Sequence, residues 1–174
     1  MSRYKVFLTR EIDPEIMAFL SKEVVLSTWD QVYPPPREVL LNNISTFDGI
    51  ITTVMDAVDA PLLRLATNLK VVSQLAVGVD NIDLVTATAR GLPVGHTPGV
   101  LSKATADLTM ALILSISRQI VETTQWVRNG SWEVAFHPKH WLGIEMAGST
   151  LGIVGLGKIG KEVAMRALGF TMNV

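Results

Sequence analysis

The sequence has 174 residues, 48% of them hydrophobic, with fifteen Lys and Arg against sixteen Asp and Glu and no cysteine. A near-neutral chain without a basic stripe argues against nucleic acid as a partner, and the lack of cysteine excludes disulfides and thiolate metal sites. The strongest apolar run, Leu108 to Ile116, is shorter than the roughly 18 residues of a membrane span, and Met1-Ser2-Arg3 leads into a strand-like segment rather than a signal-peptide core, so no membrane partner and a cytoplasmic setting are expected.

The first half reads as strands alternating with helices. Val6-Phe7-Leu8 is a short apolar strand. Asp13-Pro14 starts a helix, Asp as the cap and Pro in the first turn, with Ile16, Met17, Phe19 and Leu20 as its apolar face. Val24-Val25-Leu26 is the next strand. Pro34-Pro35-Pro36 breaks the chain ahead of a helix whose Val39, Leu40 and Ile44 follow a 3.6-residue period. Gly49-Ile50-Ile51 is a third strand, and Asp59-Ala60-Pro61 starts a helix running to about Ala66. Leu69 to Ser73 is a fourth strand, Ile82 to Arg90 a helix closed by Gly91, and Pro93-Val94 a short fifth strand.

Short apolar strands separated by helices imply a parallel sheet covered on both faces, here a flavodoxin-like doubly wound α/β unit. Ligands of such sheets bind beyond the carboxyl ends of the strands. The loop Ala76-Val77-Gly78-Val79-Asp80-Asn81, after the fourth strand, occupies that position. His96-Thr97-Pro98-Gly99 breaks the pattern and reads as a hinge. A long helical stretch follows, Ser102 to Asn129, stopped by Gly130. Its first half is apolar on nearly every side, which suits a core or a dimer contact. Segment 131–148, with Trp132, Phe136 and Trp141, reads as an ordered, aromatic-rich loop.

Near the end, the strand-like run Thr150 to Val154 leads into Gly155-Leu156-Gly157-Lys158-Ile159-Gly160 and a helix-like run, Lys161 to Leu168. In this strand–turn–helix context, G-x-G-x-x-G points to dinucleotide binding. One glycine permits the tight turn, one lets the backbone approach a pyrophosphate, and one lets the helix pack close. The helix N-terminus offers N–H groups to the phosphates. A bare strand-to-helix turn is the alternative reading.

Three ordered segments together resemble the D-isomer-specific 2-hydroxyacid dehydrogenases: Ala76 to Asp83, Thr97 to Leu108, and Gly155 to Gly160. The opening Val6 to Ile12 and the loop Phe136 to Gly143 look most like the glyoxylate/hydroxypyruvate reductase branch. The resemblance implies a substrate domain over residues 1–98 and the start of an NAD(P)-binding Rossmann domain over 99–174. It implies that Val77 and Gly78 offer N–H groups to the carboxylate of a small 2-oxo or 2-hydroxy acid. It also implies that Thr105 touches the nicotinamide end of NAD or NADP, that Leu156, Gly157, Lys158 and Ile159 hold the pyrophosphate, and that the 102–129 helix forms a homodimer interface. His96 departs from the Asn many members carry before Thr-Pro-Gly. The family's acid–base His, its Glu partner and its Arg lie downstream of the glycine motif, beyond Val174. The expectation is an N-terminal portion of a reductase, with no catalytic residue in this chain and no turnover alone. A truncated dimerisation or carboxylate-binding module is the alternative.

Other polar residues have blander readings. Asp80 and Asp83 flank a helix start and suit capping around Asn81 better than a metal. His137 and His140 lack a third ligand that would complete a zinc site. His96 lies at the hinge, away from the family's catalytic His. Trp141 either packs or approaches a partner's active site. With most neighbours of the first Rossmann strand missing, Leu151, Ile153 and Val154 would present open ladder edges.

Overall fold

A computed structural model describes residues 3–174. The chain folds as two compact units that meet in sequence at Pro98 and Gly99.

The first unit holds five parallel strands: β1 (Lys5–Leu8), β2 (Val25–Thr28), β3 (Gly49–Thr52), β4 (Val71–Gln74) and β5 (Val94–Gly95). Their order in the sheet is β2-β1-β3-β4-β5, which is the doubly wound, flavodoxin-like arrangement. One row of side chains crosses four strands: Phe7 pairs with Ile50, Ile50 with Val72, and Val72 with Val94. Around that row the core gathers Leu40, Ile44, Leu62 and Leu63 from the covering helices. Each such side chain contributes roughly 1.5–3 kcal/mol when fully buried.

The helices begin where caps place them. Asp13 accepts from Glu15 N–H at 2.8 Å ahead of α1 (Pro14–Glu23). Asp59 accepts from Leu62 N–H at 3.0 Å ahead of α3 (Ala60–Leu65). Asp83 accepts from Thr86 N–H at 3.0 Å ahead of α4 (Leu84–Ala89). Each bond satisfies one donor that the first turn would otherwise leave open. Helix α2 (Arg37–Asn43) follows the three prolines and passes into a 3-10 turn over Ile44–Thr46. The apolar face expected on α1 forms no core: none of its residues is buried, and Ile16 and Phe19 stand exposed.

In the second unit the helix expected over 102–129 is two helices, α5 (Ser102–Ser117) and α6 (Ile120–Arg128), bent by 61°. Gln119 takes a left-handed conformation, φ 52°, between them. The cause is tertiary. Ile144 N–H donates to Ser117 O at 2.7 Å, and Gln119 Nε2 donates to Leu142 O at 2.9 Å. A carbonyl that would continue the helix ladder is taken by a distant segment instead. Gly143 allows that approach, because a Cβ there would lie 2.7 Å from Ser117 O. No single helix among the described residues is long and apolar enough to cross a membrane.

The strand expected over Thr150 to Val154 is reduced to one parallel bridge, Thr150 with Asn173. Leu151 N–H donates to Asn173 O, and Asn173 N–H to Ser149 O, each at 2.8 Å. Beyond Leu151 the run has no ladder partner among the described residues. Helix α7 (Lys158–Gly169) packs on α5 through Ala106, Met110 and Val163, with Ile153 and Ile159 alongside. Arg166 ties the two helices together, 2.6 Å from Asp107 and 2.7 Å from Glu162.

Candidate functional site

Two places gather the residues that the sequence singled out, one in each unit. In the first unit, three buried polar side chains sit where strands end at the carboxyl edge of the sheet: Thr9 after β1, Thr52 ending β3, and Gln74 ending β4. They are linked. Thr52 Oγ1 donates to Gln74 Oε1 at 2.6 Å, and Gln74 Nε2 donates to Asn81 Oδ1 at 2.8 Å. Asn81 Nδ2 in turn donates to Asp56 O at 2.7 Å and Thr53 O at 3.1 Å. Asp56, only 2% exposed, accepts at Oδ2 from Thr9 Oγ1 and Thr53 N, both at 2.7 Å. Its other oxygen, Oδ1, is buried without a protein partner. Leaving a buried polar atom unpaired costs about 1–3 kcal/mol, so a nearly complete network of this kind specifies one arrangement of the loops it joins.

The loop carrying Val77 and Gly78 lies over this network. Gln74 Nε2 also donates to Gly78 O at 3.3 Å. His96 Nδ1 lies 2.8 Å from Val77 O, and Thr97 N–H donates to Ala76 O at 2.9 Å. Among the described residues, neither the Val77 nor the Gly78 N–H has an acceptor. Two adjacent free amides at the carboxyl edge of a parallel sheet can bind an anion. Asp80 stands beside them: a Cβ on Gly78 would lie 3.5 Å from Asp80 Oδ2.

In the second unit, the three glycines of the motif have three different reasons. Gly155 has φ +94°, outside the range that side chains adopt readily. Gly160 packs against the turn, and a Cβ there would collide with Gly155 O. Gly157 caps α7 with φ −79° and ψ −160°, a backbone open to any residue, and a Cβ there would meet no protein atom within 4 Å. Nothing in the protein itself requires glycine at 157. A ligand that needs close approach to the backbone would. The first turn of α7 turns its N–H groups to that space, as the N-terminus of a helix must. These residues therefore fit a dinucleotide's pyrophosphate.

Thr105 lies on α5, half-buried. Thr109, one turn further along the same helix, lines a groove of about 410 Å³ with Ile113, Gly152, Val154 and Gly155. His137 and His140 meet edge to face at 4.0 Å between ring centroids. Among the described residues no three potential ligands are grouped to hold a metal. Trp141 has φ +60° and packs on Trp126, 5.5 Å between centroids, at a cleft of about 620 Å³. Sequence reasoning missed Gln74 and Asp56, and it named Asn81 without its link to them. Only Gln74 carried a signal, a polar residue ending an apolar strand at the carboxyl edge; Asp56 and Asn81 lie in loops, where polar residues are ordinary.

The family profile described as D-isomer specific 2-hydroxyacid dehydrogenase, catalytic domain, matches residues 6–172. A glyoxylate reductase of Thermococcus litoralis is 47% identical over 98% of this chain and 52% of its own length. A crystal structure of the TT0316 protein from Thermus thermophilus superposes with a TM-score of 0.89 at 41% identity, over 97% of this chain and 54% of that one. An NADPH-dependent glyoxylate/hydroxypyruvate reductase from Sinorhizobium meliloti, solved with NADP and malonate, gives a TM-score of 0.78 at 28% identity, over 98% of this chain and 52% of that one. The chain spans about half the length of the curated relatives it matches. With the sheet order, the carboxyl-edge loop and the glycine turn in place, the chain belongs to the D-isomer-specific 2-hydroxyacid dehydrogenase family.

Proposed function

We propose that this chain supplies the carboxylate-binding and pyrophosphate-binding parts of an NAD- or NADP-dependent reductase of small 2-oxo acids, of the glyoxylate or hydroxypyruvate type. The product is the D-2-hydroxy acid. Residues up to Pro98 act as the substrate domain, and residues from Gly99 begin the cofactor domain. The observation that carries this reading is Gly157 at the head of α7, where the backbone faces open space that a close ligand can enter.

Bound NAD or NADP supplies the hydride that reduces the carbonyl carbon. The chain's own residues bind and orient. The Val77 and Gly78 amides receive the substrate's carboxylate, and a hydrogen bond to a charged group of this kind contributes about 1.5–3 kcal/mol. The amides of Leu156, Gly157, Lys158 and Ile159 receive the pyrophosphate, with Gly155 and Gly160 shaping the turn. Thr105 serves the nicotinamide end, as the family resemblance implies, and Thr109 extends the same helix face. Among the described residues no histidine is hydrogen-bonded to a carboxylate, and reduction of a carbonyl needs a proton donor. The 174-residue chain alone is therefore expected not to turn over. The test is an assay of the pure chain with glyoxylate or hydroxypyruvate and NADH or NADPH. Robust turnover would refute the assignment of no catalytic residue to this chain.

A homodimer through α5 and α6 belongs to the same proposal. Leu108, Leu112 and Ile116, spaced four apart on α5, are 60%, 55% and 79% exposed. A continuous apolar stripe of this kind on a helix marks an interaction surface. It also keeps open a second reading, in which the chain acts as a dimerisation module.

A further inference from the structure

Three consecutive carbonyls of the Val77–Gly78 loop are held by donors. Ala76 O accepts from Thr97 N–H, Val77 O faces His96 Nδ1, and Gly78 O accepts from Gln74 Nε2. No peptide bond among the described residues is cis. In a planar trans peptide, the N–H points opposite to the carbonyl of the same unit. The bond to Ala76 O therefore sets the direction of the Val77 N–H. The contact with Val77 O sets the Gly78 N–H, and the bond to Gly78 O sets the Val79 N–H. None of these three amides has an acceptor among the described residues.

The three clamps differ in kind. The first comes from the backbone. The third comes from Gln74, 1% exposed and already committed to Thr52 and Asn81. The second comes from an exposed side chain with no other hydrogen bond among the described residues, His96. A carbonyl oxygen can only accept, so Nδ1 must carry the hydrogen. In a neutral imidazole that leaves Nε2 bare.

We propose that His96 is a positioning residue for the carboxylate-binding loop: its Nδ1–H holds the Val77 carbonyl and thereby aims the Gly78 N–H at the substrate. This rests on the reading that Val77 and Gly78 receive the carboxylate. His96 itself touches no substrate and transfers no proton in this role.

Side-chain geometry supplies the test. In His96→Asn, the amide nitrogen can occupy the place of Nδ1. In His96→Gln it lies one bond further out, and in His96→Leu there is no donor. The 174-residue chain, labelled with 15N, is titrated with oxalate while the Val77 and Gly78 amides are followed by NMR. Wild type and His96→Asn are expected to bind alike. His96→Gln and His96→Leu are expected to bind about fivefold more weakly, the equivalent of the roughly 1 kcal/mol of one neutral hydrogen bond. The imidazole 15N spectrum of the wild type at neutral pH should show Nδ1 protonated. A bare Nδ1, or equal affinity across all four proteins, overturns the positioning role alone. Oxalate leaving the wild-type amides unmoved overturns the carboxylate reading and this proposal with it.

Discussion

Replacing Gly157 with alanine separates a glycine that the fold requires from one that a ligand requires. The backbone at 157 is ordinary, and the new methyl would meet no protein atom within 4 Å. Gly→Ala at a compatible site stabilises by about 0.4–1 kcal/mol through the unfolded chain. The poorer N-cap offsets part of that gain, so Gly157→Ala should leave stability within about 1 kcal/mol of wild type. Gly160→Ala is the contrast, since its methyl collides with Gly155 O. Overpacking of this kind costs typically about 1–3 kcal/mol. On a unit of this size each kcal/mol shifts the melting temperature by roughly 4–8 °C. Thermal melts of the three proteins measure the stability side. Titration of 15N-labelled chain with NADH, NADPH and ADP measures binding at the Leu156 to Ile159 amides. Gly157→Ala should melt like wild type and lose those shift changes. A melting temperature that falls as far as that of Gly160→Ala, or nucleotide shifts unaltered by the methyl, would refute the argument.

Other residues carry their own expectations. Asp80 places a negative charge beside the Gly78 amide, so Asp80→Asn should tighten oxalate binding about threefold at low salt and less at high salt, read by the same titration. Leu112→Asp puts a charge in the middle of the exposed α5 stripe; sedimentation should show a monomer where the wild type is a dimer, and a wild-type monomer would remove the dimer proposal. Burial opposes ionisation of Asp59, but the Leu62 N–H and the Arg37 guanidinium outweigh it and hold its carboxyl below the ordinary 3.8. Its contribution is therefore fully present above about pH 4 and lost as pH falls through the lowered folded value. Asp59→Ala should cost about 1 kcal/mol near neutrality, mostly as a lost cap, and should flatten the acid limb of a stability–pH profile.

Much of the first unit was legible because its signals are local. Asp13, Asp59 and Asp83 precede their helices and cap them. The short runs Val6 to Leu8, Gly49 to Ile51 and Leu69 to Ser73 carry β1, β3 and β4, because short apolar runs of that kind suit a parallel sheet. The second unit was less legible. Nothing in Ser115 to Ile120 signals a helix break, because the break is made by Ile144 N–H and Leu142 O arriving from a remote loop. The run Leu151 to Val154 has strand composition, but a strand is defined by its ladder, and among the described residues the one bridge beside it is that of Thr150 with Asn173.

The candidate sites divide in the same way. The sequence by itself determined the glycine spacing, the carboxyl-edge loop and the family these motifs resemble, since each is a short-range pattern tied to backbone geometry. Only the tertiary structure put geometry on those glycine roles: φ +94° at Gly155, a Cβ collision at Gly160, and open space beside Gly157. It also decided that Gln74, Asn81 and Asp56 join into one buried network under Val77 and Gly78, and that His96 is turned onto the Val77 carbonyl. The physical reason is reach. Propensities and caps act over a few neighbouring residues, whereas a hydrogen-bond network and a close contact exist only once distant segments have been brought together.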